Sequence, residues 1–194
     1  LDYAIDNGSN SVQIKVVVPK GKYRIDKLLE IYSNTWLYLE DGATIVRNFD
    51  KGCMIKNAQA NGAGGYGSER NIVIEGGCWD GNPSSTSRPF SNMRFGHMKN
   101  LWIKNVEIKN NYNGHHVEIG GVKGITIEDC DFHGYTGTFQ KEAIQLDTIS
   151  NSDVFPAYEP FDDTPCDNAV IKNNKFHDLI RGLGSHSACL GVYY

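Results

Sequence analysis

Apolar and polar residues alternate along this chain in short bursts, and the bursts recur. Four segments share one pattern: Asn71-Ile-Val-Ile74, Asn100-Leu-Trp-Ile103, Gly124-Ile-Thr-Ile127 and Asn168-Ala-Val-Ile171. Five residues after the last Ile of each stands an apolar residue: Trp79, Ile108, Phe132 and Phe176. Alternation of period two predicts strands. Strands this short cannot bury a face alone, but stacking one copy on the next buries it, like residue on like. The copies start 29, 24 and 44 residues apart (71 to 100, 100 to 124, 124 to 168). A period in the twenties suits a β-solenoid and not a helical repeat. The longest step holds one turn of chain plus an insertion over 148–167, expected to form a loop on one face.

A second strand is predicted just before three of the copies: Met93-Arg-Phe-Gly96, Val117-Glu-Ile-Gly120 and Ile144-Gln-Leu-Asp147. Stacking in register turns Val117, Ile119, Ile144 and Leu146 inward, so the residues between them face out. Three outward columns follow: Arg94, Glu118 and Gln145; Gly96, Gly120 and Asp147; Asn92, His116 and Ala143. Residues 1–70 read as entry coils. They open on the tail of an amphipathic helix over 1–6. Strand, turn and strand follow over 15–25, then two strands over 35–39 and 43–46 and a long loop over 58–67. The expectation is one domain over 1–194: all-β, a right-handed parallel β-helix, and a stretch of a longer solenoid. Its open end would need the rest of its chain or a partner subunit as a cap.

Composition narrows the partners. Hydrophobic residues make up 40% and charged residues 22%, which excludes a disordered chain. The net charge is -4, with no basic stripe, which argues against nucleic acid and anionic membrane. No apolar run approaches the ~20 residues that span a bilayer. The five cysteines form no CxxC pair and are expected as buried free thiols. No three convergent ligands can be assembled, so no metal and no cofactor is expected.

The runs VVVPKGKYRI and LYLEDGATIV resemble the entry coils of pectin-lyase-like right-handed β-helix proteins. NIVIEGGCWDGN is similar to the first full coil of polygalacturonase-type glycosidases. The stretch from FGHMKN to FHGY, with KEAIQLD and DDTPC, resembles bacterial extracellular β-helix glycosidases, among them the lacto-N-biosidases of glycoside hydrolase family 136. The resemblance implies a secreted or bacterial cell-surface protein that acts on carbohydrate. The Asn-Thr-Asp and Gly-His-Gly motifs of polygalacturonases are absent, so their catalytic residues do not carry over.

Glycoside hydrolysis uses two carboxyl groups flanking one bond. Asp147 is the first candidate, at the point where the insertion begins; the alternative is an Asp closing a strand-to-loop turn. Glu118, on the neighbouring coil, would lie roughly 8 Å away backbone to backbone, or would instead pair with Arg94. Asp162 and Asp163 could reach over the groove or form a turn before Pro165. His116, Gln145, His186, Arg94, Arg181 and Tyr158 are candidate sugar-binding residues: ring stacking suits sugar faces, and His and Arg donate to hydroxyls. The leading reading is a glycoside hydrolase. A polysaccharide lyase on a uronic-acid polymer and a non-catalytic glycan-binding or structural module of a surface protein are the alternatives.

Overall fold

The structure, a computed structural model, describes residues 12–59, 62–156 and 158–193. The helical tail expected over 1–6 lies outside the described residues. The early strands are β1 (Ile14–Val18), β2 (Gly21–Ile25), β3 (Leu29–Ile31), β4 (Thr35–Leu39), β5 (Ala43–Arg47), β6 (Ile55–Asn57), β7 (Arg70–Glu75) and β8 (Cys78–Asp80). The central ones are β9 (Met93–Lys104), β10 (Glu107–Tyr112), β11 (Val117–Glu128) and β12 (Asp131–Thr136). The last are β13 (Glu142–Asp147), β14 (Asp167–Lys172), β15 (Lys175–His177), β16 (Arg181–Gly184) and β17 (Leu190–Tyr193).

Every ladder between these strands is parallel. The chain winds as a triangular parallel β-helix. One wall carries β3, β6, the first half of β9, the first half of β11, then β13 and β16. The second carries β1, β4, β7, the second halves of β9 and β11, then β14 and β17. The third is the six-stranded sheet β2-β5-β8-β10-β12-β15. The second strand and the repeat segment are therefore one long strand bent at a corner. His97 (φ 51°) and Gly121 (φ 57°) supply the left-handed backbone there.

The predicted stacks are present. Ile72, Leu101, Ile125 and Ala169 form one interior row, and Ile74, Ile103, Ile127 and Ile171 another. Trp79, Ile108, Phe132 and Phe176 stack on the third wall, the last two rings 5.2 Å apart. These rows belong to one continuous buried core, except at Phe176, which ends its stack exposed. The sequence's abundant Asn has a backbone reason. Asn71, Asn100 and Asn168 open their segments at φ 56–57°, a region that Asn tolerates better than other side-chain-bearing residues. Asn100 Nδ2 donates to Asn71 Oδ1 and Asn71 Nδ2 to Asn34 Oδ1, both at 2.8 Å, tying successive corners together. The five cysteines are unpaired, four of them buried.

Candidate functional site

Register builds the site. Arg94, Glu118 and Gln145 are direct partners on the first wall, as are Gly96, Gly120 and Asp147 beside them. The two columns have opposite fates. The glycine column leaves room for rings: Phe155 and Tyr158 of the insertion lie on it, fully buried with Ile149. A Cβ on Gly96 would stand 2.7 Å from Tyr158 Cδ1, and one on Gly120 2.9 Å from Phe155 Cγ. The insertion is tied down at its far side. Asp162 accepts from Gly65 N–H at 2.7 Å and from Thr164 Oγ1 at 2.6 Å. The two ring nitrogens of His97 face the carbonyls of Gly65 and Pro160 at 2.8 and 2.9 Å.

The long polar column stays open and floors a groove of about 300 Å³. Arg94, Glu118 and Gln145 make its base, with His115, Lys141 and His186 beside them. Phe90, Val154 and Pro156 supply apolar walls. Most of the lining residues are polar, with these few apolar contacts set among hydrogen-bonding groups.

Glu118 and Asp147 are both held. Glu118 Oε2 accepts from Ser91 Oγ at 2.7 Å, from Arg94 Nε at 2.9 Å and from Arg94 Nη2 at 2.7 Å. Burial pushes the Glu118 carboxyl up, but the Arg94 charge, His115 and these hydrogen bonds hold it below its ordinary value. It is an anion, not a proton donor. Asp147, 1% exposed, accepts from the His186 backbone N–H at 2.8 Å, from Ser187 Oγ at 3.2 Å and from the Gln145 amide. The same amide reaches His186 Nδ1 at 2.6 Å. Gln145 Oε1 and Glu142 Oε2 are buried acceptors without a hydrogen-bond partner among the described residues.

The structure moves several expected site residues. His116 does not face outward. It is fully buried and edge-on to Phe132 at 6.3 Å, with Nε2 facing the His133 carbonyl at 2.9 Å. The cause is the turn before β11, where Asn113 sits at φ 52° and breaks the two-residue alternation. His115 takes the groove position instead, its Nδ1 facing the Glu142 carbonyl at 2.8 Å, and burial lowers its pKa. Tyr158 is not available to a ligand, because its ring covers Gly96 and its hydroxyl donates to Asn57 Oδ1 at 3.0 Å. Asp162 and Asp163 do not line the groove: Asp162 closes a turn with Thr164, and Asp163 N–H donates to Ile149 at 3.0 Å. Arg181 lies behind the groove, where it binds Glu142 Oε1 at 3.2 Å and Gln140 Oε1 at 2.7 Å. Arg94, Glu118, Gln145 and His186 are brought together. Phe90 was missed; it lies outside the named strands, in an isolated bridge to Tyr112 that strand alternation does not predict.

No family model matches the chain. A curated relative, plasmin and fibronectin-binding protein A of Streptococcus pneumoniae, is 26% identical over 91% of this chain. The chain spans 29% of that relative's length. Among solved structures, the Streptococcus pneumoniae surface protein and adhesin PfbA superposes with a TM-score of 0.75 at 22% identity, over 92% of this chain and 50% of that one. A candidate glycosyl hydrolase from Parabacteroides merdae superposes at 0.68 with 15% identity, over 99% and 84%. The mannuronan C-5 epimerase AlgE6 A-module of Azotobacter vinelandii does so at 0.54 with 14% identity, over 95% and 52%. These superpositions establish the fold. No helix among the described residues is long and apolar enough to cross a membrane.

Proposed function

We propose that this chain is a non-catalytic, glycan-binding β-helix module of a bacterial surface protein, and that the groove over Arg94, Glu118 and Gln145 holds the sugar. The observation that carries this reading is the state of the two carboxylates. A glycosidase needs one carboxyl group that is protonated and a second free to attack or to activate water. Glu118 is an ionised partner of Arg94 and Ser91, and Asp147 spends its oxygens on Gln145, His186 and Ser187. Glu118 Oε1 takes none of these hydrogen bonds, but Asp147 is closed off on both oxygens, so no pair of free carboxyl groups flanks a bond. The surface location and the binding of plasmin and fibronectin named for the streptococcal relative support a binding module over an enzyme. The glycoside hydrolase reading of the sequence gives way to its binding alternative.

The groove suits a sugar for a further reason. Gln145 Oε1 is a buried acceptor without a donor among the described residues, a situation that costs about 1–3 kcal/mol until something donates to it. A sugar hydroxyl does so. The carbon faces of the ring then lie against Phe90 and Pro156.

Screening the full-length protein on a glycan array tests this. Bound glycan should be recovered intact, with no new reducing ends and no unsaturated product. His186→Ala should weaken binding at least tenfold while leaving the melting temperature nearly unchanged, and Gln145→Ala should weaken it likewise but lower the melting temperature, because it strands the buried Asp147 carboxylate. Turnover that disappears in Asp147→Asn would restore the hydrolase. Binding to a protein surface that free glycans do not compete would overturn the sugar assignment.

A further inference from the structure

The third wall carries a second cluster of chemistry, on a different face from the groove. Asp131-Phe-His133 on β12 and Lys175-Phe-His177 on β15 are in register, because Phe132 stacks on Phe176. The residues flanking that stack face outward together. The rings of His133 and His177 are stacked, 4.6 Å apart and within 10° of parallel. His177 Nε2 faces Asp131 Oδ1 at 2.9 Å, and His133 Nε2 faces Glu107 Oε1 on β10 at 3.0 Å. One ligand atom from each of Asp131, His133 and His177 lies within 4.8 Å of the other two.

We propose that Asp131, His133 and His177 form a binding site for a divalent late transition-metal ion of the zinc class. Two imidazoles and one carboxylate are a donor set that suits such ions and suits calcium or magnesium poorly. Bonds of ~2.0–2.1 Å in a tetrahedral site place ligand atoms about 3.3 Å apart. The three atoms close that remaining gap by small rotations of solvent-facing side chains. A neighbouring group fixes the chemistry further. His177 Nδ1 faces Asp178 Oδ2 at 3.0 Å, the carboxylate–histidine arrangement that holds a ring in the tautomer whose Nε2 binds metal. Glu107 stands by His133 as a fourth oxygen donor, although Lys109 Nζ holds it at 2.8 Å. His177 and Asp131 are solvent-accessible, with side chains 49% and 37% exposed, so an ion has a path in.

The ion would join β12 to β15 and so clamp two successive coils. Binding to the native state alone raises the melting temperature by mass action.

Zinc chloride titrated calorimetrically into the full-length protein, stripped beforehand with chelator, tests the site. The expected result is saturable binding with a component removed at least tenfold by His133→Ala and by His177→Ala. The melting temperature should rise with zinc in the parent protein, while metal-free parent and variants melt alike. Calcium and magnesium should produce neither signal, and His186→Ala in the groove should leave zinc binding intact. Cobalt substituted for zinc should show visible bands that the His133→Ala, His177→Ala double variant loses. Zinc binding that persists undiminished in that double variant, or calcium binding equal to zinc, would overturn the proposal.

Discussion

Two columns of the first wall lie only two residues apart on the same strands, yet one is roofed and the other is open. Gly96 and Gly120 expose bare backbone, and Phe155 and Tyr158 fill the space that side chains would have taken. Arg94 pairs with Glu118, and Gln145 reaches Asp147 and His186, so these long polar groups leave no flat seat for a ring. The difference teaches that side-chain size on the sheet decides where the insertion lies, and hence where a ligand can still reach the scaffold.

The strongest way to break this contrast is Phe155→Ala. Truncating a fully buried Phe costs about 3–5 kcal/mol. Most of it should appear as local opening, with faster hydrogen exchange and proteolysis over 148–166 while the strands stay protected. Global unfolding without loop opening would show that roof and scaffold are one unit. Next comes Glu118→Gln, which strands the buried Arg94 charge. A loss of about 3 kcal/mol in urea unfolding is expected, with the insertion still protected from exchange.

A pH titration sharpens the contrast from the interior. Burial holds the His116 pKa at about 4, below its ordinary value of ~6.5. Between those values the unfolded chain binds a proton that the native one refuses, so stability is full above about 6.5 and falls toward pH 4 by roughly 3 kcal/mol. His115, also lowered by burial, acts in the same direction. Glu118, held low, loses its contribution only at more acidic pH. Denaturation of His116→Gln at several pH values should show a flatter slope across that window. The smallest effect belongs to Gly96→Ala. Its new Cβ meets Tyr158, and overpacking costs about 1–3 kcal/mol. The readout is a lifted loop in hydrogen exchange with an unaltered groove affinity.

The scaffold was legible because its signal is repetitive: the alternating segments that end in Ile and the apolar residue five positions on fix both register and which side faces in. The same register places Arg94, Glu118 and Gln145 in one line. What failed lay outside the alternation. His116 follows a left-handed residue and a Gly, so period two gives it the wrong side. Tyr158 belongs to a loop whose landing place depends on absent side chains, a signal present in the glycines but silent about which ring fills them. The stacked histidines were readable in the paired Phe-His sequences at 132–133 and 176–177, since stacked Phe residues carry their neighbours into line.

The insertion departs after Asp147 and returns at Asp167, partners of Gly120 and Lys123 on β11. Its two ends are thus pinned a few residues apart whatever lies between them. Closing such a span costs only about 0.6 kcal/mol more for each doubling of length. That corner is a socket: evolution or an engineer can exchange the cassette plugged into it, and with it the ligand recognised, while the coils beneath keep their register.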